Sequence, residues 1–90
     1  MTRPEPSAKP RLAAGCRWST QGEQRVVLYP EGMIRVQGSG LAILELCDGN
    51  RSVDEVVSTL ATRFHSPPAK IQEDVGVFLE TLQQKRIVDY

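Results

Sequence analysis

The sequence predicts a single α+β domain in which a three-stranded antiparallel sheet is followed by three helices. Short β-prone runs separated by turn residues fill roughly the first 36 positions, whereas beyond position 40 the apolar residues recur at helical spacing. Ninety residues, 40% of them hydrophobic, suffice for one core and are too few for two ordinary domains. The order β, β, β, α, α, α sets the sheet on one side of the helices and lacks the alternating crossovers of a doubly wound fold.

Residues 1–10 contain Pro4, Pro6 and Pro10 with little to bury, which predicts a disordered arm ahead of one domain over residues 11–90. Residues 12–19 read as a short strand with Cys16 and Trp18 on one face, and residues 20–23 as the next turn. Val26, Val27, Leu28 and Tyr29 are β-prone, Pro30, Glu31 and Gly32 interrupt them, and Met33 to Val36 resume the pattern. Proline removes a donor and Gly32 tolerates a positive φ, so these runs form a hairpin. Gly38 and Ser39 then lead into a first helix from about Gly40 to Cys47, with Leu41, Ile43, Leu44 and Cys47 turned inward.

Ser52 and Glu55 have the spacing of a capping box at the start of the second helix. Val53, Val56, Val57, Leu60 and Phe64 form its apolar stripe. The run His65, Ser66, Pro67, Pro68 separates it from a third helix, with Ser66 as the expected N-cap and Pro67 in the first helical position. That helix reaches about Gln84 and packs through Ile71, Val75, Phe78, Leu79 and Leu82. Gly76 interrupts it at a cost of about 1 kcal/mol relative to alanine. Residues 87–90 read as a short extended or loosely packed end.

Eleven basic and eleven acidic side chains cancel, leaving no broad field for nucleic acid or anionic lipid. Beyond Ser39 the balance is acidic, which weighs against a DNA-binding helix. Cys16 and Cys47 lack metal-ligand spacing and no apolar signal run opens the chain, so reduced thiols and a cytoplasmic location are expected. His65 has no ligand partners by spacing, and the adjacent pairs Asp54–Glu55 and Glu73–Asp74 diverge on a helix. No enzyme activity, cofactor or metal is expected. The surface features left are an open sheet edge, which can accept another strand, and the side of the third helix marked by Gln72, Gly76, Leu79 and Gln83.

Ordered fragments sharpen this reading. Pro10-Arg11-Leu12, Gly15-Cys16-Arg17, Leu28-Tyr29-Pro30-Glu31-Gly32, Val36-Gln37-Gly38-Ser39 and Ile43 to Gly49 come first. Ser52 to Val56, Asp74-Val75, Phe78-Leu79, Leu82 and Gln84-Lys85-Arg86 follow. In this order and spacing the chain resembles the pyrroloquinoline quinone biosynthesis protein D family. The resemblance implies a winged-helix-like, noncatalytic peptide chaperone. Such a chaperone binds a ribosomally made precursor peptide and presents it to a radical S-adenosylmethionine enzyme. It also implies that the precursor adds a strand beside Met33, Ile34, Arg35 and Val36 in a groove closed by Ile71, Gln72, Val75, Gly76 and Leu79. Where the family has asparagine, a variable residue and serine-alanine, this chain has Gln37-Gly38-Ser39-Gly40. The alternatives left open are a winged-helix DNA-binding domain and a structural interaction domain.

Overall fold

The protein was analysed as a computed structural model that describes residues 3–90. Three antiparallel strands in spatial order β2-β3-β4 form the main sheet: β2 (Arg17–Gln21), β3 (Gln24–Tyr29) and β4 (Gly32–Arg35). Register follows from two tight reversals, since Gln21 faces Gln24 across Gly22-Glu23 and Tyr29 faces Gly32 across Pro30-Glu31. Gly22 at φ 62° occupies the left-handed region that such a reversal requires. The second hairpin lies where the sequence predicts it.

Three helices follow: α1 (Gly38–Glu45), α2 (Val53–Phe64) and α3 (Pro68–Gln84). The observed α1 begins and ends two residues before its expected bounds. Gln37 is already extended as the N-cap. At the other end Leu46 and Cys47 donate to Ile43 and Leu44, three residues back, so the helix tightens and ends. The capping box of α2 is present: Ser52 Oγ accepts from the Glu55 N–H at 3.2 Å, and Glu55 Oε1 accepts from the Ser52 N–H at 2.8 Å. His65 leaves α2 in the left-handed region, φ 53°. Pro67, instead of Ser66, occupies the N-cap of α3, and Ser66 Oγ donates to the Phe64 carbonyl.

Val27 from the sheet, Leu44 from α1, Val56 and Leu60 from α2, and Val75 and Leu79 from α3 meet in one core. Arg25 fastens the sheet to α1, its guanidinium 4.3 Å over the Trp18 ring and 3.1 Å from Glu45 Oε2. Trp18 is half-buried against the core, as a packing role requires.

A second, two-stranded sheet joins β1 (Arg11–Leu12) to β5 (Val88–Asp89). Arg86 turns the chain out of α3 at φ 61°, and Ile87 and Val88 are completely buried, in place of a loose end. Residues 3–10, in the stretch whose composition predicts a disordered arm, lie along the domain. Pro10 is buried, and the Val53 and Asp54 N–H groups donate to the Ala8 and Pro6 carbonyls at 2.8 and 3.1 Å. Proline carbonyls remain strong acceptors, so the composition that argues against a core still satisfies the open donors of a helix start. Residues 1 and 2 of the expected arm lie outside the described residues.

Candidate functional site: an open sheet edge beside the helices

The strand β4 pairs with β3 along one edge only. The Val36 N–H donates to the Arg25 carbonyl at 3.0 Å. Backbone polarity alternates along a strand, so Gly32, Ile34 and Val36 direct their N–H and C=O groups toward β3. Met33 and Arg35 therefore direct theirs away from the sheet. Their side chains are exposed, whereas Ile34 and Val36 turn toward the core. Of the four positions expected at the site, Met33 and Arg35 present backbone groups outward, and Ile34 and Val36, the latter one residue past β4, set the strand against the interior.

Beyond β4 the chain passes into the first turn of α1, which shares two hollows with the other helices. One, about 360 Å³, lies between Ser39, Gly40 and Ile43 of α1 and Asp74, Val77, Phe78, Thr81 and Leu82 of α3. The other, about 520 Å³, lies where α1, the end of α2 and the start of α3 converge. Ser39 and Asp74 border both. Gly40 eases this approach: a Cβ there would stand 3.0 Å from the Phe78 ring.

The helix positions expected to close the groove are placed differently. Val75 and Leu79 are completely buried in the core, and Ile71 is buried at its margin. Gln72 and Gly76 face the N-terminal segment, with Arg3, Pro4, Pro6 and Val53 around the same hollow of about 260 Å³. A Cβ at Gly76 would meet Arg3 Cδ at 3.2 Å, and Arg3 Nη1 donates to Glu73 Oε2 at 2.7 Å. Gly76 and Phe78 lie about 200° apart around the helix axis, so the missing side chain opens space on the side away from α1. The α3 residues that line the smaller hollow beside α1 are Asp74, Val77, Phe78, Thr81 and Leu82. Phe78 reads as core from periodicity alone; Val77, an apolar residue outside the stripe, is the signal in the sequence that points to this side.

Neither cysteine lines the two hollows. Burial, and then the Asp48 charge, push the Cys47 thiol up to about 12, and it donates to the Ile43 carbonyl at 3.3 Å. Burial also raises the Cys16 thiol. Both cysteines are free. Among the described residues no group of three or more His, Cys, Asp or Glu side chains converges, and no helix is long and apolar enough to cross a membrane.

A winged-helix-like α+β scaffold with an unpaired edge strand belongs to the class of small domains that can take up an extended chain by strand addition. Residues 24–88 match the family described as Coenzyme PQQ synthesis protein D (PqqD), and the chain belongs to that family. It is 38% identical over 82 residues to the PqqA binding protein of Azotobacter vinelandii, covering 89% of this chain and 88% of that one. The PqqA binding protein of Pseudomonas aeruginosa is 40% identical over the same length and coverage. The fold superposes with TM-score 0.74 on the PqqD truncation of Methylobacterium extorquens PqqCD, described as a functional, stand-alone recognition element for ribosomally synthesized and post-translationally modified peptides. That match has 30% identity and covers 96% of this chain and 99% of the other. PqqD from Xanthomonas campestris superposes with TM-score 0.62 at 31% identity, covering 88% and 90%.

Proposed function

We propose that this protein is a noncatalytic chaperone of the cytoplasm that binds the precursor peptide PqqA and presents it to the radical S-adenosylmethionine enzyme of pyrroloquinoline quinone synthesis. The observation that carries the reading is the free edge of β4, where Met33 and Arg35 offer backbone donors and acceptors to an added strand. Main-chain pairing supplies the hold, and side-chain contacts select the sequence. The peptide lies between Met33 to Val36 and the helices. On α3 it meets Val77 and Phe78, with Ile71 at the margin. Val75 and Leu79 support that wall from within, and Gln72 and Gly76 lie behind it. Holding PqqA and the enzyme together raises the effective concentration of the reacting segment, a role that requires no chemistry in the adaptor.

Arg35→Pro tests this placement. Proline there removes an outward N–H and sets its ring against an incoming strand, while the bonds to β3 are made by the neighbouring residues. Arg35→Ala keeps the N–H and serves as control. The expected result by calorimetry is PqqA affinity at least tenfold lower for R35P than for R35A, about 1.4 kcal/mol, with both variants folded by circular dichroism. Equal affinities would remove β4 as the binding edge, and no binding by the folded parent would sink the chaperone reading.

A further inference from the structure

Met33, Phe64 and Val77 are the large apolar side chains that stay exposed among the described residues, at 42%, 42% and 44%. Two of the three line the hollows beside α1, which share Ser39 and Asp74. Met33 lies on β4, Val77 lines the smaller hollow beside α1, and Phe64 lines the larger one. The helical periodicity assigns Phe64 to the core stripe of α2, yet as the last helical residue it sits where His65 turns the chain away. Apolar side chains left exposed in two hollows with shared walls fit a contact region.

We propose that the 520 Å³ hollow at the end of α2 is a second subsite for PqqA. It takes one large apolar side chain from the part of the peptide that flanks the added strand. This rests on the peptide-binding reading above and adds a contact beyond the β4 ladder. Ala42 and Ile71 line the hollow together with Phe64, while Arg63, Lys70 and Asp74 supply its charged groups. Lys70 Nζ is bonded to Asp74 Oδ2 at 3.2 Å, and no carboxylate forms an ion pair with Arg63 among the described residues. The unmatched charge is positive. The fitting occupant is therefore an apolar residue with a carboxylate close enough to meet Arg63.

Continuity with the strand site favours the same peptide over a separate ligand. Gly38, at the lip of the hollow, is only three positions beyond Arg35 at the end of β4. Three extended residues span about 10 Å. A peptide paired along β4 thus reaches the hollow within a few residues of leaving the sheet.

The test is calorimetry of the parent, Phe64→Ser and Arg63→Glu with full-length PqqA and with PqqA trimmed to the segment that amide exchange shows protected on β4. In the expected result the parent binds the full-length peptide at least tenfold more tightly than the trimmed one. F64S and R63E reduce full-length affinity to the trimmed level and leave trimmed affinity unchanged. R63E alters an exposed rim residue, so it reports even if F64S fails to fold. Equal affinity of the parent for both peptides, retained full-length affinity in the variants, or equal loss for both peptides would each overturn the subsite. If the parent binds neither peptide, the failure belongs to the chaperone reading.

Discussion

At Gly40 the absent side chain sets how closely α1 approaches α3. Gly40→Ala places a Cβ 3.0 Å from the Phe78 ring, which has to give by a few tenths of an ångström beside the hollow lined by Val77. The gain in helix propensity, about 1 kcal/mol, offsets part of the strain. The expected outcome is a folded variant with PqqA affinity several-fold weaker by calorimetry. Gly76→Leu is the contrasting change, because its new side chain meets Arg3 instead of α1. Here the expected outcome is displacement of residues 3–6, seen as amide shifts of Asp54 and Gly76, with PqqA affinity within twofold of the parent. Cys47 tests burial at the same scale. With its thiol raised to about 12, almost no thiolate exists at pH 8. Iodoacetamide at that pH should leave Cys47 unmodified by mass spectrometry until the chain is unfolded.

At the scale of the element, a capping box of neighbouring residues helps hold the start of α2, beside the bonds to Pro6 and Ala8. Ser52→Ala removes the acceptor for the Glu55 N–H and should lower stability by about 1 kcal/mol in denaturant titration. Bonds from the Ser52 N–H to the Glu55 carboxylate hold that group below its ordinary 4.5. Its contribution to stability is therefore complete above pH 4.5 and disappears as the pH falls through the lower, folded-state value. Asp48 follows the same rule below its ordinary 3.8, its carboxylate accepting from the Asn50 and Arg51 N–H groups. Thermal melts should show stability falling below about pH 4.5, and Glu55→Gln should make that fall shallower.

For the whole molecule, sheet, helices and terminal strands share one core, so a cut at its centre is felt everywhere. Leu60 is 1% exposed, and Leu60→Ala should cost about 2 to 5 kcal/mol. Its effect on PqqA should come through loss of folded population, with affinity near that of the parent when measured well below the melting transition. R35P should behave oppositely, keeping the fold and losing the ligand. This contrast separates the binding edge from the interior that positions it.

Sequence by itself determined the features whose partners lie close along the chain. The second hairpin follows from Pro30 to Gly32, the capping box from the spacing of Ser52 and Glu55, and the buried stripe from Val53, Val56, Val57 and Leu60. Each depends on a few neighbouring residues and a fixed backbone period. Fragments spread along the chain also carried the family, because their order and spacing are themselves sequence. Tertiary structure decided the rest. Periodicity shows which residues share a face of α3 and is silent on what packs there, so only the packed chain assigns Val75 and Leu79 to the core, Gly76 to Arg3, and Val77 and Phe78 to the α1 side. The pairing of β1 with β5 and the bonds from α2 to residues 6 and 8 join distant segments through backbone groups. Every residue carries those groups, so composition gives no sign of where they will meet.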